Sequence, residues 1–333
     1  MTRLKILAPL GAKEEVEMLA ENGAEEFYCG ITPGEWMEKF TPGVWINRRN
    51  PYAGFPSFHD LKEAVHQAEQ YDIPIFLTLN APYYLESQYP MLLELIKRCS
   101  EEVGIRAFIV SDPGLMTAMK EEVPEAAIHV SSLAAPMNTG SIELYKQMGV
   151  ERIVLPRSVQ LNEIPRLKEA AGDIELEVFI LNDGCVYEES FCMTTHSAGA
   201  FCSQSQWDYQ YFHSDGNKEL SAKEMRKLDE QINDYREFVW FVNDCNCQIA
   251  SDGLPLGPCG LCSLGDLAEM GVDSLKIVGR EGAPYRKLAS VQMVKAVIDQ
   301  VRKQAGNEMV HQTAKKIRNQ PKYCESGLMC YYR

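Results

Sequence analysis

Two spacings of apolar residues alternate along this chain. Runs of four to seven mostly apolar residues recur, and between them apolar positions fall three or four apart. The first spacing reads as buried strand and the second as amphipathic helix. Strands are predicted at residues 4–7, 26–29, 73–79, 107–110, 127–130, 152–155, 174–180 and 274–278. Helices are predicted at 12–22, 58–71, 91–103, 115–122, 141–148, 161–171, 264–270 and 291–304. Regular alternation predicts a parallel sheet, and eight units predict a (β/α)8 TIM-like barrel. A doubly wound open sheet is the alternative, but APLGAKEE after the first strand lacks the GxGxxG turn of a dinucleotide fold.

Three stretches depart from the alternation. Residues 30–58 are rich in Gly, Pro, Trp and Arg without a period, and read as a long loop over one end of the barrel. A cysteine-rich insertion, residues 182–262, lies between strands seven and eight, with a charged amphipathic helix predicted at 220–242. Residues 1–304 thus form the barrel with its insertion, and 305–333 form a C-terminal tail.

The insertion begins where the seventh strand ends. In LEVFILNDGCVYEESFC, Asn182-Asp183-Gly184 breaks the strand, and Cys185 and Cys192 follow, then Cys202. PCGLC supplies a further thiol at Cys259 or Cys262. Three thiols past a strand end and a fourth on another loop suit a polynuclear metal site. Iron–sulfur clusters and structural zinc both use four thiolates, so both remain open on the residues alone. PCGLC has zinc-knuckle spacing, and Cys245 and Cys247 could complete a separate zinc site with Cys259 and Cys262. Cys324 and Cys330 stand in the tail, open to a second site, a disulfide or a mobile end. Cys29 and Cys99 fall inside a strand and a helix and read as core residues.

Composition narrows the partners. The chain carries 47 acidic and 33 basic residues, a net charge of −14. That disfavours a broad nucleic-acid or anionic-membrane footprint, so a small molecule or peptide is preferred over RNA as substrate. No apolar run approaches the ~18 residues of a membrane span. The N-terminus acquires acids too early for a signal peptide, so a cytoplasmic protein is expected. Eleven cysteines in a reducing compartment point to metal or redox chemistry rather than disulfides.

The segments LAPLGAKEEVEMLAENGAEEFYCG, AFIVSDPGL, RIVLPRSVQLNEI, LEVFILNDGCVYEESFC and DLAEMGVDSLKIVGR together resemble peptidase family U-32. That family includes ubiquinone-biosynthesis and RNA hydroxylation proteins, and the resemblance spans about residues 4–280. It implies a 4Fe–4S cluster held by Cys185, Cys192, Cys202 and Cys259, with Cys262 as the alternative fourth ligand. It further implies oxygen-independent hydroxylation, prephenate as oxygen donor, and a homologous partner subunit as an open possibility. Two departures stand out. TTHSAGAFCSQSQW replaces the family's cysteine-arginine-rich stretch, and residues 203–258 have no counterpart.

Polar residues at strand ends are the candidates for substrate contact. Arg157 and Arg280 follow strands six and eight, where a guanidinium suits carboxylate or phosphate; the two carboxylates of prephenate would give both a role. His129 in AIHV reads equally as a core or a functional histidine. Glu177 points opposite its apolar neighbours and inside a barrel needs a partner, one of these arginines being expected. Asn80 and Asp112 are similar groups, and Arg48 and Arg49 could cover the site from the long loop. The sequence has no HExxH or GxSxG, and His196 near Cys192 is thin support for a peptidase. A redox hydroxylase is therefore favoured, with a hydrolase and a non-catalytic metal-binding scaffold as alternatives.

Overall fold

Eight parallel strands close on themselves in chain order. The computed structural model describes residues 4–40, 46–48, 53–182, 184–185, 189–191, 211–214, 216, 218–244, 250, 252–327 and 329–332, without the side chains of residues 191 and 235–244. The strands are β1 Lys5–Pro9, β2 Glu26–Cys29, β3 Ile75–Leu79, β4 Ala107–Val110, β5 Ala127–Val130, β6 Arg152–Val154, β7 Glu175–Leu181 and β8 Ser274–Ile277. β8 pairs with both β7 and β1, Ser274 lying beside Glu177 on one side and Lys5 on the other. The predicted (β/α)8 barrel is therefore the fold, and the open sheet is excluded.

Alternation along each strand builds two cores. Outward residues such as Leu77, Phe108, Ile153, Leu176, Val178, Ile180 and Leu275 pack against the helices. Fully burying one such side chain contributes ~1.5–3 kcal/mol. Inward residues Leu7, Tyr28, Phe76, Ala107 and Ile109 form a separate cluster inside the barrel. Glu177 and Phe179 share the inward phase of β7, which explains the polar residue in an otherwise apolar strand.

The helices are α1 Val16–Glu21, α2 Gly34–Lys39, α3 Phe58–Glu69, α4 Tyr89–Arg98, α5 Pro113–Glu122, α6 Thr139–Gln147, α7 Ile164–Ala171, α8 Ala222–Asp244, α9 Leu264–Glu269, α10 Pro284–Arg302, α11 Asn307–Arg318 and α12 Pro321–Ser326. Side-chain caps start several of them. Ser57 accepts from the Asp60 amide at 3.1 Å, Asp112 from Leu115 at 2.7 Å and Asn138 from Ser141 at 3.0 Å. Each such cap stabilises its helix by ~1 kcal/mol.

Three elements differ from expectation. The loop predicted over residues 30–58 contains α2, one short helix anchored by buried Trp36 and too brief to show a period. α10 begins at Pro284 rather than at 291, because its first turns bury Arg286, Lys287 and Ser290, which hide the apolar spacing. Lys287 is neutralised there by Glu15, at 2.8 Å. The segment beyond residue 304 carries α11 and α12 and returns to the barrel. The Cys259 amide donates to the Met329 carbonyl at 2.7 Å, and the Tyr331 amide to the Cys259 carbonyl at 3.0 Å. Among the described residues no helix is long and apolar enough to cross a membrane.

Candidate active site at the barrel mouth

Below the mouth, the barrel interior holds a compensated charge network. Arg152 of β6 grips Glu26 of β2 with two hydrogen bonds, 2.9 and 2.7 Å, and reaches Glu177 at 3.2 Å and Glu175 at 2.8 Å. Lys276 of β8 donates to Glu177 at 2.6 Å, and Ser274 to Glu26 at 2.7 Å. Burial alone would raise the Glu26 carboxyl, but Arg152 outweighs it and the carboxyl stays below its ordinary range. Burial lowers the Lys276 ammonium, and the pull of Glu177 opposes this without cancelling it. The partners of Glu177 are therefore Arg152 and Lys276, not Arg157 or Arg280. The inward phase of β6 and β8 carries them, and both lie at levels where Glu177 can reach.

His129 stands in the same interior, its ring 4.6 Å from Phe76 in an edge-on contact. Burial, then the charges of Arg152, Lys276 and Lys5, push it well below its ordinary range, so the imidazole is neutral. Its Nδ1 is buried with no hydrogen-bond partner among the described residues.

Above this network, at the C-terminal ends of the strands, a cavity opens where barrel enzymes place their chemistry. Arg48, Arg157, Lys276 and Arg280 line it, with Tyr28, Thr78, Asn80, Ser131 and Phe179. Among the described residues no aspartate or glutamate lines it. Arg280 donates to Thr78 Oγ1 at 2.8 Å and to Asn47 Oδ1 at 3.3 Å. A Cβ on Gly30 would collide with the Arg280 guanidinium, which is why the chain is bare there. Arg157 lies 3.7 Å above the Phe179 ring and pairs with Glu189.

The structure thus brings Arg157, Arg280, Arg48 and Asn80 together at one mouth, with His129 and Glu177 beneath. Arg49 lies outside the described residues. Asp112 does not join them; it caps α5 and accepts from the Tyr84 amide and the Tyr89 hydroxyl. Sequence reasoning missed Lys276, Arg152 and Glu26. Their signal was a charged residue on the inward phase of each of three predicted strands.

The expected thiols divide. Cys192 and Cys202 lie outside the described residues, as do Cys245, Cys247 and His196. Cys185 is partly exposed, four positions past the end of β7. Cys259 forms an antiparallel backbone bridge with Leu181, the last residue of β7. Its side chain, however, faces a small cavity lined also by Cys262, Cys324 and Cys330. Burial pushes the Cys259 thiol up to about 11, with Cys262 and Cys324 close enough to add to the rise. Among the described residues no group of three or more His, Cys, Asp or Glu side chains is arranged to hold a metal ion as it stands.

Comparison with known proteins bears on this geometry. The profile of peptidase family U32 matches residues 11–333. The tRNA hydroxylation protein P1 of Bacillus subtilis (strain 168) is 24% identical over 302 residues, covering 89% of this chain and 63% of that protein. The tRNA hydroxylation protein P of Helicobacter pylori (strain J99) is 22% identical, covering 90% of this chain and 65% of that protein. The 23S rRNA 5-hydroxycytidine synthase of Escherichia coli (strain K12) is 25% identical, covering 88% and 38%. The chain therefore spans less than two thirds of these three relatives. A solved U32 peptidase overlays with a TM-score of 0.43 at 12% identity, over 54% of this chain and 70% of that one, too loose a likeness to carry function.

Proposed function

The chain belongs to peptidase family U32, and from that premise we propose that it is an oxygen-independent hydroxylase acting on RNA, with the barrel mouth as its anion-binding active site. The observation that carries this reading is the lining of the mouth by Arg48, Arg157, Lys276 and Arg280 with no carboxylate among the described residues. Such a cavity favours a phosphate or carboxylate. The names of the relatives favour RNA as the substrate, over the small molecule or peptide preferred from net charge. A charge of −14 is a sum over the whole chain, and it does not describe this one cationic cleft. The mouth also weighs against a non-catalytic scaffold, which needs no convergent polar pocket.

Arg157 and Arg280 are proposed to bind and orient anionic groups. These are the substrate phosphate or the two carboxylates of prephenate, the oxygen donor that the resemblance implies. Neutral His129 is a hydrogen-bonding group beneath that position rather than a charge. Glu177 acts through Lys276, holding the ammonium at the base of the cavity. The donor chemistry of Cys185, Cys192 and Cys202, with Cys259 as the fourth, fits the 4Fe–4S cluster that the resemblance implies. When bound, that group would supply one-electron transfer, or Lewis-acid binding if only three thiolates hold it.

The test expresses the chain in bacteria lacking their own tRNA and 23S rRNA hydroxylation proteins and analyses RNA nucleosides by mass spectrometry. A pyrimidine nucleoside gaining one oxygen is expected, and Arg280→Ala should abolish the gain while the protein still folds. Folded, metal-replete protein that adds no oxygen to any RNA would sink the reading.

A further inference from the structure

The insertion leaves the barrel at the end of β7, yet its first turn does not stay beside β7. Residues Glu189–Phe191 form a short 3-10 turn seated on the loops that follow β5 and β6. The Ser190 hydroxyl donates to the Ser132 carbonyl at 3.1 Å, and Glu189 pairs with Arg157. Ser132 and Arg157 both line the mouth. Cys185 stands four positions before the turn, and Cys192 directly after it. We propose that Glu189 is a positioning residue: it latches this cysteine-flanked turn onto the barrel through Arg157, and the latch loosens when an anion reaches Arg157 from the mouth. The proposal rests on the reading of the mouth as an anion site.

Three observations carry it. The first is burial. Glu189 is 1% exposed and is not among the residues that line the mouth, so it meets Arg157 from behind. Its Oε1 is buried with no hydrogen-bond partner among the described residues. A buried carboxylate satisfied on one side only depends heavily on the cation that it has. The seat of the turn therefore depends on Arg157.

The second observation is the setting of Arg157. Its guanidinium lies 3.7 Å above the Phe179 ring, and its side chain is 11% exposed. A ring on one face and a carboxylate at one edge fix the orientation of the fork. A guanidinium carries five donors in that fork, so an incoming anion need not displace the carboxylate already bound.

The third is charge. Two anions on one guanidinium repel each other, and they do so more strongly where water is scarce. The incoming anion also meets Arg48, Lys276 and Arg280, which line the mouth with Arg157. Among the described residues the ion pair of Glu189 is with Arg157. The anion is thus held by several cations and Glu189 by one, so the carboxylate bears the cost of sharing. Linkage makes the effect reciprocal: if the anion loosens the turn, the seated turn weakens the anion. The stretch between Cys185 and Cys192 would then respond to whether the mouth is filled.

The test is hydrogen exchange by mass spectrometry on the full chain, with malonate, a small dicarboxylate, as the probe. Saturating malonate should speed exchange in the peptide carrying residues 189–191 by at least about fivefold, and leave the peptide of α6, Thr139–Gln147, unchanged. Arg157→Ala should speed the same peptide with no malonate present. Glu189→Gln keeps the shape of the side chain and removes its charge. Malonate affinity, read by titration calorimetry, should rise about fivefold in that variant, and malonate should no longer speed exchange at the turn. Glu189→Asp keeps the charge and should restore the response. A merely structural role for Glu189 would not raise the affinity. Malonate that binds wild type but leaves exchange at the turn unchanged or slower, or an affinity that falls in Glu189→Gln, would overturn the latch and leave the mouth an anion site. Wild-type protein that binds no malonate would remove the anion reading, and the latch with it.

Discussion

The interior of the barrel and its mouth are built from the same kinds of side chain but differ in where the described carboxylates stand. In the interior Lys5, Arg152 and Lys276 meet Glu26, Glu175 and Glu177, and the charges cancel within hydrogen-bond or ion-pair reach. At the mouth Arg48, Arg157, Lys276 and Arg280 line a cavity that no described carboxylate enters. The difference teaches that a buried charge is by itself no sign of function. A buried cation can be paired from behind, as Arg157 is by Glu189 and Lys276 by Glu177, and still present to a cavity whose described lining carries one sign of charge, which favours an outside ion. Lys276 belongs to both regions, anchored by Glu177 below and lining the cavity above.

The largest effect should come from breaking the interior. Arg152→Leu leaves Glu26 and Glu177 buried without their guanidinium. Removing one partner of a buried pair costs on the order of 3–5 kcal/mol, read as a lower urea midpoint at neutral pH. Adding Glu26→Gln and Glu177→Gln to Arg152→Leu should recover much of the loss, since the uncompensated charges go with their partner. If Arg152→Leu alone unfolds no more easily than wild type, the interior network is not the scaffold described here.

That network also shows where sequence reading stopped. The barrel was legible because β1 to β8 each carry a short apolar run between helical spacings, and eight such units without a GxGxxG turn favour a closed barrel over the doubly wound open sheet. Arg157 and Arg280 were legible because a strand end locates a residue without any tertiary knowledge. Arg152 and Glu26 were not, because their pairing joins β6 to β2 across the interior, 126 positions apart in sequence. The same limit hid the thiols. Cys324 and Cys330 sit in a short polar segment with no period. Only the return of that segment onto Cys259, through main-chain hydrogen bonds, brings them beside PCGLC. α10 was read seven residues short because its buried polar residues are satisfied by partners far away, Lys287 by Glu15 among them.

A mouth variant should behave in the opposite way to Arg152→Leu. Arg280→Ala removes a guanidinium that donates to two neutral groups, Thr78 Oγ1 and Asn47 Oδ1. Stability should change less than in Arg152→Leu, while affinity for prephenate, the proposed oxygen donor, read by titration calorimetry, should fall about tenfold to a hundredfold. That corresponds to the ~1.5–3 kcal/mol of a charged hydrogen bond. Arg157→Ala is the less clean probe, because it strands Glu189, which is 1% exposed. Equal loss of stability in Arg280→Ala and Arg152→Leu would erase the distinction between mouth and interior.

The smallest effect is set by pH and separates two interior groups. The His129 imidazole is held well below its ordinary value of 6.5, so the unfolded chain takes up a proton below that pH that the fold refuses. Stability should therefore fall as pH drops from 6.5, at ~1.4 kcal/mol per pH unit for one proton. Glu26 is also depressed, from 4.5, so the stability it contributes is present above that value and is lost only as pH falls further. The two losses have the same sign but different windows. His129→Phe keeps an aromatic ring against Phe76 and removes the upper window alone. Urea midpoints measured between pH 6.5 and 4.5 should then flatten in the variant, while the acid loss below 4.5 remains. An unchanged slope in that range would mean that His129 can take its proton in the folded barrel, and that the interior cations around it do not exclude a further charge.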